Sequence, residues 1–377
     1  MRIALKDGAG LCNGLLVLSP LAYQLTTLMD GTRTPQEICQ TFQALSGQHL
    51  ELELMEQLLA QLDESLALDN ARSRQILRAL PERPAAHQGG AYPAQGPELE
   101  RFLASILDSG PCIEFPKKTL EGVIVPHIDL QRGSSSYGVA FRELSEHVEQ
   151  YDTFVILGIS HAMSTQPFIL TRMNFATPLG TVETDQEFVT RLAEKLDFDP
   201  FEDEFNHLAE HSVEFQAVFL RYLLRRPFKI VPVLCGSFHR CLMGDEAISP
   251  RRLNGVASFL ARLTEILKES PRTLVIASVD LAHQGVRFGG EGLTIPALRE
   301  LENADRATLE KAVKGQSEAF IASLQSDRGA RNYCGTSAIY TMLEVLGNPR
   351  GALHHYQQCN EAGNTSTVTI AAAGFYS

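Results

Sequence analysis

Three absences in this sequence each remove a class of function. No stretch approaches the roughly 18 uninterrupted apolar residues that a membrane-crossing helix needs. The seven cysteines (Cys12, Cys39, Cys112, Cys235, Cys241, Cys334 and Cys359) are odd in number and contain no CxxC pair. Free thiols are therefore expected, not a disulfide frame. Basic residues are in deficit, 33 against 45 acidic, for a net charge of -12. An acidic surface disfavours phosphate backbones and anionic lipid, and no basic stripe interleaved with aromatics offsets it. Neither nucleic acid nor membrane is an expected partner. Near the N-terminus one short apolar run is broken by polar residues and by Asp7. That is unlike a secretory signal, and a cytoplasmic protein is expected.

What is present is enough chain for two domains. At 377 residues the sequence exceeds one typical core. Residues 1–75 read as a small module. "SPLAYQLTTLMDG" enters a helix at Ser19-Pro20 and spaces Leu21, Leu25 and Leu28 along one face. "TPQEICQTFQAL" starts again at Thr34-Pro35 with Ile38, Phe42 and Leu45, and a third stripe carries Leu54, Leu58 and Leu62. With strand-like flanks at "GLLVLS" and "LALDN", the expected fold is winged-helix-like; a plain helical bundle is the alternative. Residues 76–100, rich in Pro, Gly and Ala without apolar periodicity, read as a linker and extended arm.

From 101 to 377 the pattern is α/β. "EGVIVPH", "TFVILGIS", "FKIVPVLCG" and "TLVIASVDL" are unbroken apolar runs suited to strands covered on both faces. Helical stretches alternate with them. The expectation is a mixed or parallel sheet flanked by helices, with ligands just beyond the carboxyl ends of the strands.

Those strand ends carry the polar residues. "GVIVP" leads to His127 and Asp129, "FVILGIS" to His161, and "LVIASVD" to Asp280 and then His283. "AEHSVEF" opens a helix with His211 and Glu214 on one face, and Cys334 stands at another helix entry. Each alone would serve equally as a hydrogen-bonded structural residue. Together they resemble a mononuclear metal site. Two imidazoles and one anionic group leave coordination positions open, and a thiolate shifts preference toward copper or zinc without excluding Fe(II). Asp129, Asp280, His211 and His283 would then orient ligands or move protons. The "RGSSSYG" run behind His127 reads as a flexible wall. No compact signature such as HExxH marks the site.

Several ordered segments resemble the Memo family, the B component of the AmmeMemoRadiSam gene grouping. "GGAYPAQGPELERFL" is similar to the family's Gly-Ser-aromatic-Tyr-Pro arm, with Ala91 in place of Ser. "VIVPHIDLQRGSSSYGVAF" resembles its "APHAGY…SG" segment, "FVILGISHAM" its "ILGPSHH", "EHSVEFQAVFL" its "EHS(I/L)E", and "SVDLAHQGVRF" its "SSDFSH(W/Y)G.RF". "YCGTSAIYTML" resembles the family's "CG…I…L". Ile128, Asp129, Leu130 and Ala162 depart from the pattern. The resemblance implies a class III extradiol dioxygenase-like fold, with metal ligands on His127, His161 and Cys334. His211, Asp280 and His283 fall at matching site positions, to which catalytic roles are assigned. Asp129 and Glu214 are assigned to the pocket wall.

"LSPLAYQLTTLMDGTRTPQEI" is similar to PqqD-like peptide-recognition domains, which bind leader peptides or radical-SAM enzymes. The expected function is a metal-dependent redox protein or dioxygenase-like enzyme, Fe(II) favoured over Cu or Zn, working with a radical-SAM partner. A non-catalytic peptide- or partner-binding module is the alternative, and a zinc hydrolase a third.

Overall fold

The computed structural model describes residues 2–7, 11–12, 15–243 and 248–377. The chain divides into a smaller unit ending at Pro81 and a larger one from Glu82 to Ser377.

In the larger unit, four parallel strands run side by side in the order Leu120–Val125, Thr273–Ser278, Thr153–Ile159, Lys229–Cys235. Antiparallel strands extend both sides of this block. Phe168–Leu170 lies against Lys229–Cys235, and the hairpin Arg350–Asn360 and Ser366–Tyr376 lies against Leu120–Val125. Side chains alternate between two cores, one on each face. Val123, Val125, Phe154 and Ile156 join one cluster; Ile124, Val155, Leu157 and Ile159 join the other. This is why the strands read as continuous apolar runs: both faces are covered, and each fully buried Val, Leu or Ile contributes about 1.5–3 kcal/mol. The α/β architecture with a mixed sheet is the one expected.

Two sequence expectations change in this unit. "RGSSSYG" is not a flexible wall. Ser134, Ser135 and Ser136 form the first turn of a helix, Ser134–His147. Its small residues serve close packing: a Cβ on Gly138 would stand 2.4 Å from the carbonyl oxygens of Ile106 and Ser109. Residues 82–95, within the segment read as linker and arm, are built into the unit. Glu82–Arg83 pairs with Asn174–Phe175, and the Arg83 and Tyr92 side chains are buried.

The smaller unit carries a hairpin, Ile3–Lys6 with Leu15–Leu18, and the helices Pro20–Thr26, Pro35–Ser46, Leu52–Glu64 and Ala71–Ala79. Its core holds Leu25, Ile38, Phe42, Leu50, Met55, Leu58 and Leu62. Leu45 and Leu54, placed on the buried faces by spacing, are exposed; Met55 is buried where Leu54 was expected. "LALDN" forms no strand. Its Asn70 side chain accepts from the amides of Arg72 and Ser73, starting a fourth helix that runs past residue 75. Such local side-chain bonds compete with strand pairing. Among the described residues no helix is long and apolar enough to cross a membrane.

Candidate metal centre

The parallel strands end at one edge of the sheet, and the chain deposits His127, His161 and Asp280 there. His127 follows Leu120–Val125 through Pro126 and is buried. Its Nδ1–H donates to the Ser278 carbonyl at 2.9 Å, which leaves Nε2 directed at Cys334 Sγ, 3.5 Å away. Burial lowers the His127 pKa to about 3, so the imidazole is neutral, as a ligand must be.

His161 follows Thr153–Ile159. Glu210 accepts from its Nδ1 at 3.0 Å and from its backbone amide at 3.1 Å, and its Nε2 lies 3.9 Å from Cys334 Sγ. Burial works against a charge on His161, but Cys334 and Glu210 outweigh it and raise the pKa to about 11, so an ion would bind here by displacing the Nε2 proton.

Cys334 precedes the helix Thr336–Val345, and its amide donates to the Leu281 carbonyl at 2.9 Å. The intervening Gly335 permits a close approach. A Cβ there would stand 2.8 Å from the Asp280 carbonyl oxygen and 2.9 Å from Val279 Cβ. The thiol is thus brought to the strand ends by backbone contact. Burial raises its pKa, opposed by His161; a bound cation would favour the thiolate.

His127, His161 and Cys334 each offer an atom within 4.8 Å of the others. Donors at about 2.0–2.1 Å (N) and 2.3 Å (S) from a tetrahedral ion would sit about 3.5 Å apart. The nitrogen–sulfur separations of 3.5 and 3.9 Å lie at and somewhat above that value. Each histidine also has its second nitrogen held by an oxygen, the arrangement that fixes the tautomer of a metal ligand. The donor set therefore fits a single ion.

The remaining predicted residues divide. Asp280 stands behind His127: its Oδ1 accepts from the amides of His127 and Ile128, both at 3.0 Å, and its Oδ2 lies 3.7 Å from His127 Nε2. His211 stacks on His161, ring centroids 4.8 Å apart, with its Nδ1 3.1 Å from Glu210. His283 has its Nδ1 3.1 Å from the Leu281 carbonyl, and burial lowers its pKa. Asp129 pairs with Arg132. Glu214 does not join this group. It is buried on the same helix as His211 but bonds Arg83, the His87 amide and the Tyr92 hydroxyl, since one helical turn carries it away from the strand ends.

Glu210 is placed by the sequence with His211 and Glu214 at the opening of a helix but is assigned no role in the site. It is the N-cap of the helix His211–Leu223 and accepts from the Ser212 amide at 2.9 Å. Burial raises the Glu210 carboxyl, but hydrogen bonds from His161 and His211 overcome this and hold it well below the ordinary carboxylate range. The signals were its place immediately before His211 and at the head of the "EHSVE" segment. With His161 and His211 it forms a second set of close ligand-type atoms.

Two cavities meet at the centre. One of about 350 Å³ is lined by Cys334, His161 and His283 with apolar Phe238, Leu242 and Phe288. The other, about 190 Å³, is lined by His127, His211, Asp129, Arg132 and Arg287, and shares His161, His283 and Phe288 with the first. His127 lines only the second and Cys334 only the first, while His161 lines both.

A family model described as "Memo-like protein" matches residues 83–376. A MEMO1 family protein of Aquifex aeolicus is 30% identical over 385 residues, covering 100% of this chain and 96% of its own. A MEMO1 family protein of Methanosarcina acetivorans is 28% identical over 296 residues, 77% of this chain and 97% of its own. The protein memo-1 homolog of Caenorhabditis elegans is 27% identical over 307 residues, 77% of this chain and 81% of its own.

Proposed function

The chain belongs to the Memo family, and from that premise we propose that it is a mononuclear metal protein with a redox function. His127, His161 and Cys334 hold the ion, Fe(II) in preference to copper or zinc. The observation that carries this reading is the convergence of two Nε2 atoms and one Sγ, each histidine with its Nδ1 already held by oxygen. When bound, a redox-active ion supplies electron transfer and open positions for a substrate.

The chain's own residues provide the rest. His127 is buried and neutral, and its orientation is fixed by Ser278 and by Asp280 beneath its backbone. Glu210 fixes His161 and His211 together. His283, whose pKa burial lowers, lines both cavities and so is placed to exchange a proton with a bound molecule. Phe238, Leu242 and Phe288 give one side of the centre an apolar wall.

The smaller unit is proposed to engage a radical-SAM partner or a peptide. Its exposed Leu15, Val17, Leu45 and Leu54 support such a role. The seven free cysteines support a cytoplasmic setting.

The test is elemental analysis of anaerobically purified full-length protein beside His127→Ala and Cys334→Ala. Close to one iron per chain is expected for the parent, with loss in both variants while the circular dichroism spectrum is kept. Unchanged metal content in both variants would overturn the site.

A further inference from the structure

Arg83 is the second residue of the larger unit, two positions beyond Pro81. Its side chain is fully buried, which is exceptional for arginine unless it is paired. Nη1 meets the Glu214 carboxylate at 2.5 Å. Nε donates to the His207 carbonyl at 2.5 Å, Nη2 to the Glu210 carbonyl at 2.8 Å, and Nη1 also to the Pro84 carbonyl at 3.0 Å. Glu214 is itself closed over by the His87 amide and the Tyr92 hydroxyl. A buried ion pair is a poor source of net stability compared with an apolar pair of the same volume, so its value must be sought in what it positions.

It positions the start of one helix. Glu210, His211 and Glu214 are consecutive landmarks of His211–Leu223 and its N-cap, and the guanidinium holds two of them at once. Glu210 is gripped at both ends. Its carbonyl oxygen takes Arg83 Nη2, and its carboxylate takes the Nδ1 atoms of His161 and His211. The His87 ring, from the same arm, lies edge-on to His211 with centroids 5.7 Å apart. The path from Arg83 to the two imidazoles is one side chain, one peptide group and one carboxylate.

We infer that Arg83 is a positioning residue for the metal centre, setting the orientation of His161 and His211 through Glu210. Its consequence for metal binding rests on the function proposed above; its consequence for the two imidazoles does not.

The experiment uses full-length protein with isotope-labelled histidine and three variants: Arg83→Lys, Glu214→Met, and the double variant Arg83→Met with Glu214→Met, which leaves no buried charge unpaired. The first readout is the ring resonances of metal-free His127, His161 and His211, and the second is Co(II) affinity by titration. The double variant is expected to shift the His161 and His211 rings, leave His127 in place, and weaken Co(II) binding about tenfold, the low end of the cost of losing a ligand-orienting contact. Arg83→Lys, which keeps the charge but not the fork, is expected to shift the same two rings by less. A folded double variant with unmoved His161 and His211 rings overturns the inference. If it does not fold, unmoved rings in Arg83→Lys overturn it instead. Ring shifts with no Co(II) binding in any form, the parent included, refute the metal reading and leave the positioning role standing.

Discussion

Replacing Glu210 by glutamine keeps the length of the side chain and removes its charge. The carboxylate receives four N–H groups. Oε2 takes the His161 amide at 3.1 Å and His161 Nδ1 at 3.0 Å; Oε1 takes the Ser212 amide at 2.9 Å and His211 Nδ1 at 3.1 Å. A glutamine carbonyl oxygen can serve one of these pairs, and its NH₂ group then points at the other two donors. Two donors losing their acceptor cost about 1–3 kcal/mol each, and the partial exposure of His161 favours the low end, so a loss of about 2–4 kcal/mol is expected. The pH dependence follows from the sign of the shift. Glu210 has a folded pKa well below its unfolded value, so its contribution is present above about pH 4.3 and fades as the pH falls toward the folded value. His161 is shifted the other way: its contribution is complete below its unfolded pKa of about 6.5 and is lost as pH rises through about 11. Urea unfolding of metal-free parent and Glu210→Gln, followed by circular dichroism at about pH 5.5 and about pH 3, is the assay, because below about pH 5.5 the His161 contribution is nearly complete and only that of Glu210 still changes. The gap should be wide at the higher pH and narrower at the lower. A gap below about 1 kcal/mol at the higher pH, the net worth of one ordinary hydrogen bond, or one that does not narrow in acid, refutes the reasoning.

Other outcomes are equally definite. Gly335→Ala forces a Cβ to within 2.8 Å of the Asp280 carbonyl oxygen; overpacking of about 1–3 kcal/mol is expected, together with weaker metal retention because Cys334 moves with its neighbour, and dialysis against a chelator measures the second effect. Gly138→Ala, which meets two backbone carbonyls at 2.4 Å, should lower the thermal midpoint, whereas Ser135→Ala in the same run should change it little. Glu214→Ala strands the buried Arg83 guanidinium and should cost about 3–5 kcal/mol in denaturant unfolding. Cys334→Asp should keep an anionic third ligand while disfavouring copper, a change that competition between Cu(I) and Fe(II) would register.

The sheet could be read before it was seen because its strands are covered on both sides, and runs such as Val123 to Val125 have no polar alternative. Their ends could be read for the same reason: an apolar run that stops at a histidine places that histidine at the edge. Cys334 was legible mainly through resemblance, since its neighbours Gly335 and Thr336 do not say what the thiol faces. Glu210 was hidden in plain view. A carboxylate before a helix is an ordinary cap, and nothing local says that its oxygens also serve an imidazole at position 161, on another strand. Arg83 was hidden more deeply. Its segment is rich in Pro and Gly, which reads as solvated arm, and its burial depends on a partner 131 positions away. "RGSSSYG" misled in the opposite sense: it looks mobile in a string, yet its serines begin a helix and its Gly138 lies against the carbonyls of Ile106 and Ser109.

The three proposed ligands do not have equal standing in the architecture. His127 and His161 are extensions of the central strands, and to move either is to move the sheet. Cys334 arrives on a loop that turns through left-handed conformations at Arg328, Gly329 and Asn332 before the final helix begins. The coordinates of the centre are therefore written in the rigid part of the fold, while its chemical hardness is written in a part that can be rewritten. A lineage could exchange thiolate for carboxylate, and with it the range of metals and potentials, by editing one loop and leaving the core untouched.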